Sequence, residues 1–117
     1  MDPFEITFEE KNSIVHIFVS GYFNAETGTI LNQKGQELLE GGKNRFLLDF
    51  SKCTTVNSPG MSSLLDFSVI VNDDYLGKVV FWGLDESKKY FFKIVGILNV
   101  ATVTDSPENA LAELNKK

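Results

Sequence analysis

The segment that decides the fold runs from Arg45 to Val71 and reads RFLLDFSKCTTVNSPGMSSLLDFSVIV. Its first part, Arg45–Phe50, is a short apolar run typical of a β-strand. Its last part begins at Pro59, which favours the first turn of a helix, and carries apolar residues at helical spacing as far as Val71. The pattern predicts a strand over 45–50, a long loop over 51–61 and a helix from Pro59 to Val71. In an open parallel sheet, a loop beyond the carboxyl end of a strand is where sites gather.

Two strands are predicted before this segment. Ile6–Phe8 and Ile14–Val19 are short β-type runs, and the polar residues 9–13 between them suit a hairpin connection. We therefore expect these two strands to be antiparallel. Both alternating faces of Ile14–Val19 are largely apolar, which predicts that helices cover this strand on both sides.

Strands and helices alternate through the rest of the chain. Asn24 is a candidate N-cap for a helix over 25–40, which Gly41 ends. Further strands are predicted over 78–82 and 100–103, with helices over 86–95 and from Ser106 onward. Because the helices are long enough to cross over, the last four strands are expected to be parallel. The predicted fold class is α/β, in one domain over residues 1–117. Its sheet is mixed but mostly parallel, with an antiparallel N-terminal hairpin and about four flanking helices.

The composition narrows the class of partner and the compartment. The chain has 117 residues, with 16 acidic and 11 basic side chains and a net charge of −5. With no basic cluster to contact phosphates, nucleic acid is not an expected partner. The single Cys53 cannot form an internal disulfide, which favours a reducing compartment. The sequence shows neither a signal peptide nor an apolar run long enough for a membrane span, so we expect a cytoplasmic protein with no direct membrane insertion.

Ser58 stands at the junction of the predicted loop and helix. With Pro59 behind it, Ser58 falls at the N-cap position, where its oxygen could accept from the amide of Gly60 or Met61. The alternative is a phosphorylation site, because the amide dipoles at a helix N-terminus tolerate added negative charge. Between Thr54 and Gly77 the only charged side chains belong to three aspartates, so no basic residue nearby in sequence is placed to neutralise a phosphate. Local sequence leaves both roles open.

The helix after Ser58 carries two apolar stripes. The first is predicted to face the sheet and consists of Gly60, Leu64, Phe67 and Val71. The second consists of Met61, Leu65 and Val69. We expect Leu65 and Val69 to pack on a neighbouring helix, whereas burial and contact with another protein remain alternatives for Met61.

Signals for catalysis are weak throughout the sequence. Gly41-Gly42-Lys43 precedes a strand and does not open a helix, unlike a phosphate-binding loop. His16 and Cys53 are too few for a structural zinc site, and Asn57–Gly60 does not match a serine-hydrolase elbow. Asp49 has no second acid at a recognisable spacing, so a surface or loop-capping role is expected. We predict no enzyme activity, no catalytic residue, no metal and no cofactor.

Several pieces of the sequence together resemble the STAS domain and, within it, the bacterial anti-sigma-factor antagonists. They are Phe46–Ser51, Val56–Met61 with Leu64-Leu65 behind it, Trp82-Gly83-Leu84 and Gly96-Ile97-Leu98. The resemblance implies a small cytosolic switch. Its unphosphorylated form binds an anti-sigma serine kinase of the histidine-kinase-like ATPase type, the sigma factor is released, and the kinase phosphorylates a serine in the loop. Carried over by position, that serine is Ser58.

The resemblance also implies a partner-binding segment around Ser58. Its residues are Thr55, Asn57, Ser58, Pro59, Gly60, Met61 and Ser62. Two positions depart from the family pattern, which usually has aspartate at Asn57 and a small residue at Pro59. Asn57 removes a negative charge beside the proposed phosphate, and Pro59 removes one amide donor. A STAS module that is never phosphorylated, docking on a transport ATPase, a stress-signalling scaffold or a small ligand, is the alternative. The sequence leaves monomer and weak dimer open.

Overall fold

One mixed sheet forms the centre of the computed structural model, which describes residues 3–116. Five strands lie in the order β1-β2-β3-β4-β5, and β1 pairs with β2 antiparallel while every other pair is parallel. Their bounds are Phe4–Lys11, Ile14–Phe23, Arg45–Val56, Lys78–Trp82 and Thr102–Thr104. The predicted α/β class and the antiparallel N-terminal hairpin are confirmed. Met1, Asp2 and Lys117 of the predicted domain lie outside the described residues.

Four α-helices flank the sheet: α1 (Ala25–Glu40), α2 (Ser58–Val69), α3 (Glu86–Ile94) and α4 (Pro107–Leu114). The start of α1 is fixed as predicted, because Asn24 Oδ1 accepts from the amides of Glu26 and Thr27. Ser106 caps α4 in the same way. α2 continues into a π-helical turn over Ile70–Asp74, which carries the helical segment past its predicted end at Val71. A short 3₁₀ turn occupies Ile97–Asn99.

The N-terminal hairpin is tighter than the sequence predicted. Residues 9–11 are paired with β2 and belong to β1, so the five-residue connection is wrong. The turn is only Asn12 and Ser13, with φ of 53° and 67°. Positive φ at both residues gives a two-residue turn whose twist matches that of the strands. The polar character of residues 9–11 reflects an exposed edge strand, which the local pattern could not separate from a loop.

The two faces of the sheet are covered unequally. On one face, β-strand residues such as Ile17 and Phe46 join one core with Leu31 of α1 and Phe67 of α2. On the other face, α4 covers a smaller cluster of Ile14, Leu47, Val80, Ala110 and Leu114. Phe18, further along β2 on that second face, is 38% exposed. The expectation that helices cover β2 on both sides is therefore wrong at Phe18, because α4 spans only eight residues.

Candidate functional site

The junction between β3 and α2 is much shorter than the predicted loop. β3 runs to Val56, so residues 51–56 are strand and only Asn57 separates it from α2. This extension is supported by β2, whose last residues Tyr22 and Phe23 pair with Thr55 and Val56 after two register shifts. The bulges let the two strands stay paired beyond the regular part of the sheet.

Asn57 is the N-cap of α2, and Ser58 is its first helical residue. The Asn57 Oδ1 atom accepts from the Gly60 amide at 2.9 Å. The prediction that Ser58 caps the helix is therefore wrong. β3 ends at Val56, so the next residue, Asn57, takes the cap position, and asparagine caps a helix as well as serine does. Ser58 is exposed, and the cap does not engage its hydroxyl.

The start of α2 is fixed to the end of β2 by backbone contacts. The Asn57 amide donates to the Phe23 carbonyl at 3.2 Å. A Cβ atom at Gly60 would overlap that same carbonyl oxygen, so only glycine allows this approach. On the next turn, Ser63 lies against Gly28 of α1, where a side chain would also overlap. The backbone position of Ser58 is therefore set by close packing on two elements.

The predicted partner-binding residues divide into exposed and buried sets. Thr55, Ser58, Pro59 and Ser62 are exposed and Asn57 is half-buried, whereas Gly60 is buried and Met61 is 2% exposed in the main core. The structure thus decides the alternative for Met61 in favour of burial, and Gly60 and Met61 lie beneath the exposed surface. The stripe predicted to face the sheet is buried as expected.

A cleft beside this junction was not foreseen from the sequence. It has a volume of about 380 Å³ and lies between the end of β3 and one side of α3. Tyr90 and Ile94, one turn apart on α3, are 67% and 61% exposed at its rim. The available signal was their spacing of four residues on a helix whose other aromatic residues, Phe91 and Phe92, lie between them. The lining residues are Thr54, Thr55, Val56, Asp85, Ser87, Lys88, Tyr90, Phe91 and Ile94.

An ion pair lies in the wall of this cleft. The Lys88 Nζ atom is 2.9 Å from Asp85 Oδ2, and Lys88 is only 9% exposed. Asp85 is also the N-cap of α3, since its Oδ1 accepts from the Lys88 amide at 2.9 Å. That amide, together with the ammonium, lowers the pKa of Asp85. The fold thus brings a basic residue to the cleft that Thr54 and Thr55 line, with its charge already paired.

Cys53 lies behind the same strand end and is 7% exposed. Burial raises the pKa of its thiol, and the positive charge of Lys88 offsets only part of that effect. The thiol is therefore protonated at neutral pH and a poor nucleophile.

Solved structures of three proteins match this chain over most of its length. An anti-sigma-factor antagonist from Mycobacterium paratuberculosis has a TM-score of 0.82 at 13% identity and covers 97% of this chain and 96% of its own. The Thermotoga maritima protein TM1081 has a TM-score of 0.84 at 13% identity and covers 97% and 90%. The Bacillus protein SpoIIAA, in its phosphorylated form, has a TM-score of 0.74 at 13% identity and covers 95% and 100%. Its unphosphorylated form gives the same TM-score and identity, covering 93% and 96%.

The chain has the STAS fold. The resemblance found in the sequence is thereby confirmed at the level of the fold. No protein-family model matches the sequence, and no curated protein matches it either. Within residues 3–116 of this STAS fold, no helix combines the length and the apolar character needed to cross a bilayer.

Proposed function

We propose that this chain is an anti-sigma-factor antagonist, a protein–protein switch controlled by phosphorylation of Ser58. Its unphosphorylated form binds an anti-sigma serine kinase of the histidine-kinase-like ATPase type, and the sigma factor is released. The observation that carries the proposal is the exposure of Ser58 on the first turn of α2, with the capping role taken by Asn57. A kinase can therefore reach the Ser58 hydroxyl without breaking the helix cap.

The charges around the junction favour a change in binding over a change in fold. A phosphate adds about −1.5 to −2 charges at neutral pH, and a helix N-terminus stabilises such a charge by about 0.3–1 kcal/mol. Lys88, which lines the adjoining cleft, is already paired with Asp85. The added charge therefore stays on the surface, where it weakens the binding of a partner whose surface fits the neutral serine. Each 1.4 kcal/mol of that opposition weakens binding about tenfold.

The surface beside Ser58 suits a protein partner. Thr55, Ser58, Pro59 and Ser62 are exposed polar or small residues, and the cleft next to them ends in the exposed apolar side chains of Tyr90 and Ile94. Protein interfaces combine apolar or aromatic anchors with a polar rim in this manner. We place the docking surface of the kinase across the start of α2 and the outer side of α3.

The likeness to SpoIIAA supports the proposal. That protein has been solved in an unphosphorylated and in a phosphorylated form, and this chain matches both with a TM-score of 0.74. A fold of this kind is thus compatible with both states in that relative. For the present chain, we expect the phosphate on Ser58 to leave the sheet and helices in place.

Phosphorylation is tested by incubating the protein with ATP and an anti-sigma serine kinase encoded by a neighbouring gene. We expect a mass gain of about 80 Da that peptide mapping confines to Ser58. Ser58→Ala should abolish the gain, whereas the control Ser62→Ala, one turn away and also exposed, should retain it. No gain with a kinase that phosphorylates a known substrate would contradict the switch and favour a STAS module that is never phosphorylated.

The effect of charge on binding is tested with a matched pair of variants. Ser58→Asp and Ser58→Asn have nearly the same shape and differ in charge. We expect Ser58→Asp to raise the Kd for the kinase at least about tenfold relative to Ser58→Asn, as measured by calorimetry. Equal affinities of the two variants would show that charge at this position does not control the complex.

A further inference from the structure

The sheet face opposite α1 and α2 has an open part that the proposed switch does not use. α4 covers Ile14, Leu47 and Val80, and in the next row along the strands Trp82 of β4 also packs against this cluster, whereas Phe18 is left 38% exposed. In that row Phe18 on β2 lies directly beside Asp49 on β3. Adjacent strands are about 4.8 Å apart, so the Phe18 ring and the Asp49 carboxylate stand side by side on one surface. A cleft of about 370 Å³ lies over them.

The Phe18 ring is partly exposed, and the neighbouring His16 ring helps to fix its orientation. Phe18 is 38% exposed, and the His16 ring lies beside it at 6.4 Å between centroids with an interplanar angle of 20°. The two rings are thus nearly parallel, and Phe18 itself lines the cleft. An exposed aromatic ring on an open sheet face attracts a cation through its negative π-face.

The Asp49 carboxylate is also oriented. Its Oδ1 atom accepts from the Ser51 amide at 2.9 Å and from the Ser51 hydroxyl at 2.6 Å. Both of these hydrogen bonds reach Oδ1, so Ser51 leaves Oδ2 available to another donor. A carboxylate held in this way is pre-organised for a donor that approaches over the neighbouring ring.

The charges that line the cleft favour a cation. Glu5 and Asp49 contribute two carboxylates, and Lys52, in the row of Glu5 and Ser20, contributes one ammonium. The net charge of the residues that line the cleft is therefore negative, as is the net charge of the whole chain, which is −5. Lys52 lowers the attraction without reversing it.

We propose that this cleft is a docking site for an arginine side chain of a protein partner, with the guanidinium over Phe18 and its N–H groups donating to Asp49. Arginine fits better than lysine because its planar group stacks on an aromatic ring and donates to a carboxylate at the same time. A second copy of this chain is not the occupant, because its one arginine, Arg45, donates to the Leu114 carbonyl at 3.1 Å. The site lies outside the surface proposed for the kinase and does not depend on that function.

The site is tested by titrating the isotope-labelled protein with a heptapeptide, acetyl-Gly-Ser-Arg-Gly-Ser-Arg-Gly-amide, and following backbone amide signals by NMR. We expect weak binding, with a Kd on the order of 1 mM, and shifts centred on Phe18, Ser20 and Ser51. The same peptide with lysine for arginine should bind more weakly, and the glutamine version should give no shifts. Equal shifts from all three peptides, or shifts centred elsewhere, would overturn the proposal.

Three variants sharpen this test because they move the affinity in different directions. Asp49→Asn should raise the Kd about tenfold, whereas Lys52→Gln should lower it by removing the opposing charge. Phe18→Leu keeps an apolar side chain and should abolish the preference for arginine over lysine. Unchanged amide spectra away from the cleft would show that each variant is folded. The proposal fails if Asp49→Asn binds as the wild type does, or if arginine amide alone binds as tightly as the peptide, which would indicate a small-molecule site.

Discussion

Asn57 caps α2, because its Oδ1 atom accepts from the Gly60 amide at 2.9 Å. The Ser58 hydroxyl therefore takes no part in the cap. We predict that Asn57→Ala lowers the free energy of unfolding by about 1 kcal/mol, because the Gly60 amide loses its acceptor. Asn57→Asp keeps an acceptor oxygen at the same place and adds a charge that the helix N-terminus favours, so its stability should match or exceed that of the wild type. Urea denaturation measures both. Wild-type stability in Asn57→Ala would mean that the cap contributes nothing.

The Asp85 carboxylate makes the stability of the cleft wall depend on pH. Its folded pKa lies below its ordinary value of 3.8, chiefly because the Lys88 amide and then the Lys88 ammonium donate to the carboxylate. A lowered folded pKa gives a stability contribution that is present above the unfolded pKa and is lost as pH falls through the folded pKa.

We therefore predict that Asp85→Asn is less stable than the wild type at neutral pH, by no more than about 1 kcal/mol because solvent screens the exposed carboxylate. The difference should shrink as the pH falls through the folded pKa of Asp85, because the wild-type carboxyl then also becomes neutral. Urea midpoints measured from neutral to acidic pH provide the test, with Glu26→Gln as control because its exposed carboxylate also lies in the first turn of a helix and makes no ion pair within residues 3–116. A difference that stays constant with pH would rule out the ion pair as its cause.

At the scale of elements, the contact between α2 and β2 fixes where the helix begins. Alanine at Gly60 would normally stabilise a helix, but here its Cβ would overlap the Phe23 carbonyl oxygen. We predict that Gly60→Ala lowers the free energy of unfolding by about 1–3 kcal/mol, because the strand end or the helix start must move.

Gly41→Ala is the matched control for this change. Gly41 has a φ of −82°, and a Cβ there would lie 3.5 Å from the nearest carbonyl oxygens, which is an ordinary contact. Its stability should stay within about 0.5 kcal/mol of the wild type. Similar losses in both variants, measured by thermal unfolding, would show that the α2–β2 contact is not special.

At the scale of the whole molecule, the core is separate from the surface that Ser58 occupies. The large buried side chains lie between the sheet and its helices, whereas Ser58 and Pro59 are exposed at the N-terminal end of α2. We predict that the protein phosphorylated on Ser58 unfolds in urea within about 1 kcal/mol of the unmodified protein, because only the helix terminus feels the added charge. A cooperative transition shifted by several kcal/mol would indicate that the phosphate acts on the fold instead of the interface.

Local patterns in the sequence were enough for most of the elements. α1 lies over the predicted residues because Asn24 and Gly41 mark its ends, and β4 lies over the predicted 78–82 because its run is wholly apolar or aromatic apart from Lys78. Caps and periodicity act over a few residues, so they can be recognised without knowing what each element touches. The choice of Ser58 as the phosphorylation site came from the family resemblance, since the local sequence left capping and phosphorylation both open, and it stays a prediction.

Only the tertiary structure decided how far β3 extends, which residue caps α2, and what lies beside Ser58. Residues 51–56, most of them polar, become strand because β2 continues beside them and supplies the ladder partners. Met61 is buried because α2 packs on the sheet. Lys88 lines the same cleft as Thr54 and Thr55 because α3 begins just after the carboxyl end of β4, which lies beside the carboxyl end of the parallel strand β3. Each of these outcomes depends on groups far apart in the chain, and pairing and burial between such groups have no signature in a local pattern.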